Sequence, residues 1–187
     1  MAERFRRSFG EDPGLYPFLP DENQDSPFGN RGFDVGKTWP SRQAMCNDKV
    51  HSSTFAGISK AGNRLGANAV VLSGKYEDDV DEGDVVWYTG TGGRGTDDWG
   101  AASVPQTEDQ TFDHPDNAAL KTSCEKHYPI RLFRAIPATS GSGVQYRFDG
   151  MYGVTKASSE QGKSGFLICQ FKFVRQMDQA PLPPLPQ

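Results

Sequence analysis

The sequence predicts an α+β fold in which a β-barrel or sandwich with flanking helices makes up one domain. Three observations carry this expectation. Short β-branched apolar runs, each closed by glycine or turn residues, recur through most of the chain. Helical signals are confined to two short stretches. Finally, 187 residues at 35% hydrophobic content suit one modest core with tails better than two domains. Many strands with few helices pack as a barrel or a sandwich.

Residues 1–26 are rich in charge, Pro and Gly without an apolar period, and predict a flexible arm. No apolar run follows Arg4, Arg6 and Arg7, which speaks against a secretory leader. The first helix is expected over Ser41 to Cys46. Ala69-Val70-Val71-Leu72-Ser73 reads as a strand ended by Gly74, and Asp84 to Thr89 as another ended by Gly90-Thr91-Gly92-Gly93. Pro115 to Cys124 predicts a second helix with Asp116 as its cap. Tyr128 to Arg134 alternates apolar and basic side chains, the pattern of a half-buried strand. Met151–Thr155 and Gly165–Val174 read as a hairpin across the turn-rich Ala157 to Ser164. Residues 178–187 form a Pro-rich tail whose Pro181-Leu182-Pro183-Pro184-Leu185-Pro186 favours extended polyproline geometry, either a solvated end or an SH3-type ligand.

Composition narrows the function classes. No stretch approaches the roughly 20 apolar residues of a membrane helix. Cys46, Cys124 and Cys169 are widely spaced, with no CxxC pair or Cys/His cluster, so neither a zinc site nor a disulfide framework is expected. That usage suits a reducing, intracellular compartment, the nucleus included. The net charge of -4 argues against indiscriminate nucleic-acid binding. Yet the charge is segregated. Tyr76 to Asp116 is strongly acidic with Arg94 as its arginine, whereas Lys121 to Arg175 is basic. A polyanion could dock on the basic portion, or the surface is simply mixed and solvated.

Catalytic templates fail on spacing. Gly162-Lys163-Ser164 and Gly36-Lys37-Thr38 lack the phosphate-loop glycine, where Ala157 and Arg31 stand. Gly162-x-Ser164 would need a glycine at Phe166 to make a nucleophile elbow. His51, His114 and His127 share no ligand spacing. The densest feature is Tyr76-Glu77-Asp78-Asp79-Val80-Asp81-Glu82-Gly83-Asp84, followed by Tyr88-Thr89-Gly90-Thr91-Gly92-Gly93-Arg94. Three readings stand open for it: a hard-cation site, although the calcium-loop template fails; a solvated acidic turn; or a pocket for a flat, amine-bearing ring.

Ordered motifs run through the chain: Val35-Gly36-x-x-Trp39 with Arg42, Ala56-Gly57-Ile58, Val71 to Asp79, and Tyr88-Thr89-Gly90-x-Gly92-Gly93-Arg94. Asp109-Gln110, Asn117-x-Ala119-Leu120, Pro129-Ile130-Arg131, Phe148 to Tyr152 and Gly162 to Phe166 follow. With these the chain resembles the SRA-YDG (SET and RING associated) domain family of RING-type ubiquitin ligases and plant SET-domain histone methyltransferases, over residues 27–177. The resemblance implies a curved, twisted, barrel-like sheet (SRA/PUA-like) that grips duplex DNA and flips out a 5-methylcytosine or 5-hydroxymethylcytosine. It implies no catalytic residue, no metal and no cofactor. Tyr76 and Tyr88 would sandwich the base, Asp79 would accept from its N4 amino group, and Thr89 would bond its edge, with Ser73, Gly74 and Lys75 beside the pocket. Phe55 falls where the family places an apolar finger, with core burial as its other reading. Arg94, Arg131, Arg134, Lys163 and Lys172 are candidates for the DNA backbone.

Departures qualify the match. The signature Tyr-Asp-Gly is Phe148-Asp149-Gly150, and Lys75 replaces a small residue. The basic loop that some members use against the opposite strand is Gly95-Thr96-Asp97-Asp98-Trp99-Gly100, leaving Trp99 as a candidate for filling that gap. The expectation is a nuclear reader of modified cytosine in double-stranded DNA, with chromatin proteins as further partners and no membrane association. The alternatives are a targeting module of a modification-dependent nuclease and a degenerate domain that binds another protein.

Overall fold

The computed structural model describes residues 26–62, 65–95, 104–139 and 142–184. The expectations for the N-terminal arm before Ser26 and for Trp99 lie outside the described residues.

Among the described residues, eight strands form one mixed sheet: β1 Thr38–Trp39, β2 Ile58–Lys60, β3 Ala67–Leu72, β4 Val80–Asp81, β5 Val85–Thr89, β6 Ile130–Pro137, β7 Val144–Gln161 and β8 Leu167–Arg175. Their order is β2-β3-β6-β7-β8-β5-β4, with β1 paired to β7. Among the described pairings only β3 and β6 run parallel, and the 12-residue helix α2 (Pro115–Lys126) lies in the long connection between them. This is the mixed sheet with few helices expected from the strand-rich pattern.

Local chemistry explains the helices. Ser41 caps α1 (Arg42–Asn47), its hydroxyl accepting from the Ala44 amide at 3.1 Å. At α2 the cap is His114, whose ring nitrogen accepts from the Asp116 amide, with Pro115 in the first turn. Asp116 is thus not the cap expected from sequence; it is the second residue of the helix, within its first turn, and pairs with Lys60 at 2.6 Å.

The sheet is buried on both faces. Along β3 every residue is buried, and successive side chains alternate between two apolar clusters. Val70 and Leu72 join Ile130, Leu132, Phe171 and Phe173, while Ala69 and Val71 join Trp39, Met45, Phe133 and Phe148. The half-buried reading of Tyr128 to Arg134 is corrected accordingly. Arg131 and Arg134 are each 1% exposed, so neither is available to a DNA phosphate. Arg131 donates to the carbonyls of Val50, Pro27 and Gly29. The hairpin of β7 and β8 is longer than its composition suggests. Pairing continues through Ser158 and Glu160 to Gln161, and the turn is only Gly162 to Phe166.

Arg134 is held by a buried ionic network. Its guanidinium donates to Asp149 at 2.8 Å, to Asp81 at 2.7 and 2.8 Å, and to the Gly83 carbonyl. Asp149, fully buried, also accepts from Arg147 at 2.5 and 3.0 Å. A β-bulge places it there: Leu132 pairs with Gly150 and Phe133 with Phe148, so Asp149 is the extra residue. Gly150 follows at φ +114, where a Cβ would meet the Gln179 side chain at 2.7 Å. The Pro-rich tail is not a free end as far as Pro184. Gln179 bonds both backbone groups of Met151, and Arg147 donates to the Pro184 carbonyl.

Removing one partner of a buried ionic network leaves uncompensated charge. Arg134→Ala is therefore expected to cost about 3–5 kcal/mol in urea unfolding. A loss below about 1 kcal/mol, the range of a surface ion pair, would contradict this role.

Candidate nucleic-acid interface

The acidic segment after β3 forms an arm, residues 73–79, that leads into β4. The β4–β5 hairpin brings its end back to Thr89, whose amide donates to one Asp79 carboxylate oxygen at 2.8 Å. The second oxygen, Oδ2, is buried without a hydrogen-bond partner, and so is the Thr89 hydroxyl. Burial raises the Asp79 pKa from the ordinary 3.8 to about 7, the hydrogen bonding from Thr89 opposing it only in part. Unpartnered buried polar atoms are uncommon, and this one leaves a carboxylate oxygen free to accept a hydrogen bond.

The arm is tied down on two sides. Asp81, two residues past Asp79, is gripped by Arg134. The β7–β8 turn holds the other side: the Lys163 amide donates to Asp78 at 2.9 Å, and the Lys163 ammonium donates to the Glu77 carbonyl. Lys163 was expected on a phosphate; here it clamps the arm.

Tyr76 lines a cavity of roughly 170 Å³, with Phe55, Ser73, Lys75 and Arg42 among the other walls. Gly74 sits at φ +68 with open space around it. Phe55 is 85% exposed, which excludes core burial and leaves an apolar ring at the cavity rim. Two much larger concavities, at the start of α2 and beside Gly92-Gly93, have no tyrosine, phenylalanine or tryptophan in their walls. Chemistry, not volume, singles out the smaller one.

Tyr88 takes a different place from Tyr76. It is 3% exposed, packed edge-on against Phe173 at 5.7 Å, and absent from the cavity lining. Its hydroxyl reaches the wall at Gly57, where a Cβ would lie 2.6 Å away. Burial pushes its pKa well up, so the phenol stays neutral. The cavity thus brings together Tyr76, Ser73 and Lys75, whereas Asp79 and Thr89, bonded to each other, are like Tyr88 not among the residues that line it. Arg94 lies over the Tyr76 ring at 5.1 Å, and Lys172 over Trp87 at 5.6 Å, opposite Lys156.

Some supporting residues, among them Arg42, Gln110 and Asn117, were visible in the sequence only as parts of motifs, without a role. Arg42 donates to the carbonyls of Ser53 and Ala56, and His51 packs against it at 3.3 Å. Together they fix the loop that carries Phe55. Burial and the neighbouring Arg42 lower the His51 pKa to about 3, so it stays neutral. Behind the glycine loop, Asn117 bonds the Thr91 amide and carbonyl at 2.9 Å, and Gln110 bonds the Gly90 carbonyl. A Cβ on Gly90 would lie 2.5 Å from Asn117. These contacts cross 20 or more residues and leave no periodic mark.

Comparison with known proteins identifies the family and the fold. The family model described as SAD/SRA domain matches residues 27–179. A UHRF1-like protein of Cryptococcus neoformans var. grubii is 43% identical over 160 residues, covering 81% of this chain and 46% of that protein. The chain thus spans less than half of that relative. The SUVH5 SRA domain, solved with fully methylated CG DNA, superposes with a TM-score of 0.64 at 33% identity, over 81% of this chain and 95% of that one. The modification-dependent TagI restriction endonuclease matches at TM-score 0.67 and 35% identity, covering 79% of this chain and 51% of that chain.

Because the folded Asp79 pKa is raised, the native state holds a proton that the unfolded chain releases between pH 4 and 7. The burial cost thus grows as pH rises through that window and is fully expressed above it. Asp79→Asn is expected to stabilise the free protein at pH 8 by about 1–3 kcal/mol, discounted for partial exposure, with no gain near pH 4. Thermal unfolding of both proteins across pH checks this; an advantage that does not change with pH would contradict the assignment.

Proposed function

The chain belongs to the SAD/SRA domain family, and from that premise we propose that it reads DNA carrying 5-methylcytosine or 5-hydroxymethylcytosine by turning the modified base into the cavity beside Tyr76. It is homologous to SRA domains solved with methylated DNA, and a further SUVH5 SRA structure holds fully hydroxymethylated CG DNA. Two observations support the reading: the Tyr76 face in the cavity wall and, three residues on in the same arm, a buried Asp79 Oδ2 without a protein hydrogen-bond partner. A cytosine exocyclic amine is a donor of the kind that atom lacks.

In this reading Tyr76 stacks on one face of the base, and Asp79 accepts from N4 while Thr89 keeps the carboxylate oriented. The C5 substituent lies against the apolar wall that Val71 and Ala135 contribute. The Tyr88 hydroxyl edge, reached past Gly57, closes the far side. Phe55 enters the space the base vacates, as apolar wedges do at kinked steps. Unstacking costs a few kcal/mol, and stacking on an aromatic ring returns about 1–3 kcal/mol. The Asp79 bond then has to supply the discrimination. Arg131 and Arg134 take no part in phosphate contact.

The domain acts as a non-catalytic reader needing no cofactor, in a nuclear, chromatin setting, with any ligase or methyltransferase activity residing elsewhere. The likeness to TagI favours a second setting, in which the same pocket targets a nuclease. That changes what the domain is joined to, not what it reads.

Anisotropy titrations of matched duplexes at about 100 mM salt, where phosphate contacts do not swamp the rest, test the pocket. Tyr76→Ala is expected to weaken binding to the modified duplex about 10- to 100-fold, with unmodified DNA little affected. Equal affinities of parent and variant would remove the pocket from the account. Since the ionised Asp79 carboxylate is a stronger acceptor than the neutral acid, affinity for the modified duplex should fall by up to about tenfold from pH 8 to pH 6, and Asp79→Asn should abolish that dependence. A flat profile in the parent would contradict the role given to the carboxylate.

A further inference from the structure

Arg94 was expected on the DNA backbone, but its side chain is turned inward. The guanidinium lies 5.1 Å from the centre of the Tyr76 ring, and its Nε donates to the Val104 carbonyl at 2.7 Å. Tyr76 lines the cavity, and Arg94 is not among the residues that line it. The platform beneath Arg94 is itself fixed, because the amides of Thr107 and Glu108 both donate to the Gly93 carbonyl.

Resting on the reading that Tyr76 stacks the modified base, we propose that Arg94 is a positioning residue that backs Tyr76 and sets its tilt. Base, tyrosine and guanidinium then form three layers. The need for such backing follows from where Tyr76 sits. It lies in residues 73–79, between β3 and β4, with no strand pairing of its own, just after Gly74, where nothing packs within reach of a Cβ. A ring on an unpaired arm loses rotamer freedom when a base stacks on it. A cation over the ring removes that freedom beforehand, so the loss is not charged against binding. The planar guanidinium suits this place better than an ammonium, since it stacks and keeps an N–H in its own plane for the Val104 carbonyl.

A phosphate contact and a backing role give different signatures. Removing a phosphate contact weakens all duplexes alike and lowers the salt slope by about one. Removing the backing lowers discrimination and leaves the salt slope alone. The experiment compares parent, Arg94→Ala, Arg94→Lys and Tyr76→Ala on modified and unmodified duplexes across a salt series. The expected result is a loss of discrimination of about 2- to 5-fold in Arg94→Ala, the scale of an exposed cation–π contact, with an unchanged slope. Arg94→Lys should retain part of the discrimination, and it provides a folded comparison should the alanine variant unfold. A uniform loss with a shallower slope, or no change in either quantity, would overturn the proposal. If Tyr76→Ala itself keeps full discrimination, the pocket reading fails instead, and the two failures are told apart.

Discussion

The arrangement depends on one buried cation. Arg134, with 1% of its surface exposed, is neutralised by Asp149 from the bulge of β7 and by Asp81 from β4. Burial alone would lower its pKa, but the hydrogen bonds with Asp81 and Asp149 outweigh that and raise it above its ordinary value. A buried ion pair is not an efficient stabiliser compared with apolar packing. What this one does is join three strands at a single point. Asp81 is two residues past Asp79, so the cation that anchors the core also anchors the pocket arm. The Asp-Gly pair at 149–150 follows from the same constraint: the bulge turns the carboxylate inward, and the next residue must tolerate a positive φ against Gln179.

Beyond that anchor, the pocket is held at a cost to the fold. Asp79 keeps one oxygen unpartnered and its pKa near 7, and Thr89 keeps its hydroxyl unpartnered. Residues that weaken a fold where a ligand belongs are a recurrent mark of function. The rigid surroundings are distributed. Lys163 clamps the arm, Asn117 and Gln110 hold the glycine loop, and Arg42 with His51 sets the Phe55 loop.

Strands of the kind at 69–72 and 167–174 were legible because β-branched or aromatic residues run between turn signals. The first helix start was legible because Ser41 caps it in the usual way. Tyr76 and Asp79 could be named as candidates from their residue types and the resemblance, and their role in binding is part of the proposal. Arg131 and Arg134 were misread because their partners, Val50 and Asp81, lie 81 and 53 residues away, so the basic positions look like an exposed face. The polar end of β7 looked like a turn because Ser158 and Glu160 continue a hairpin whose pairing owes little to apolar content. Phe55 was undecidable from sequence, since an isolated phenylalanine fits a core or a rim equally well. Tyr88 shows the opposite problem: its motif position is right for the pocket, yet Phe173 claims its ring.

The most direct test of base eversion is the fluorescence of 2-aminopurine placed beside the modified cytosine in a duplex. This reporter is quenched while stacked, and unstacking of its neighbour releases it. The account predicts a rise on binding to modified DNA, absent with unmodified cytosine and absent in Asp79→Ala. Tight, modification-selective binding with no change in fluorescence would contradict it, since the mark would then be read within the stacked duplex.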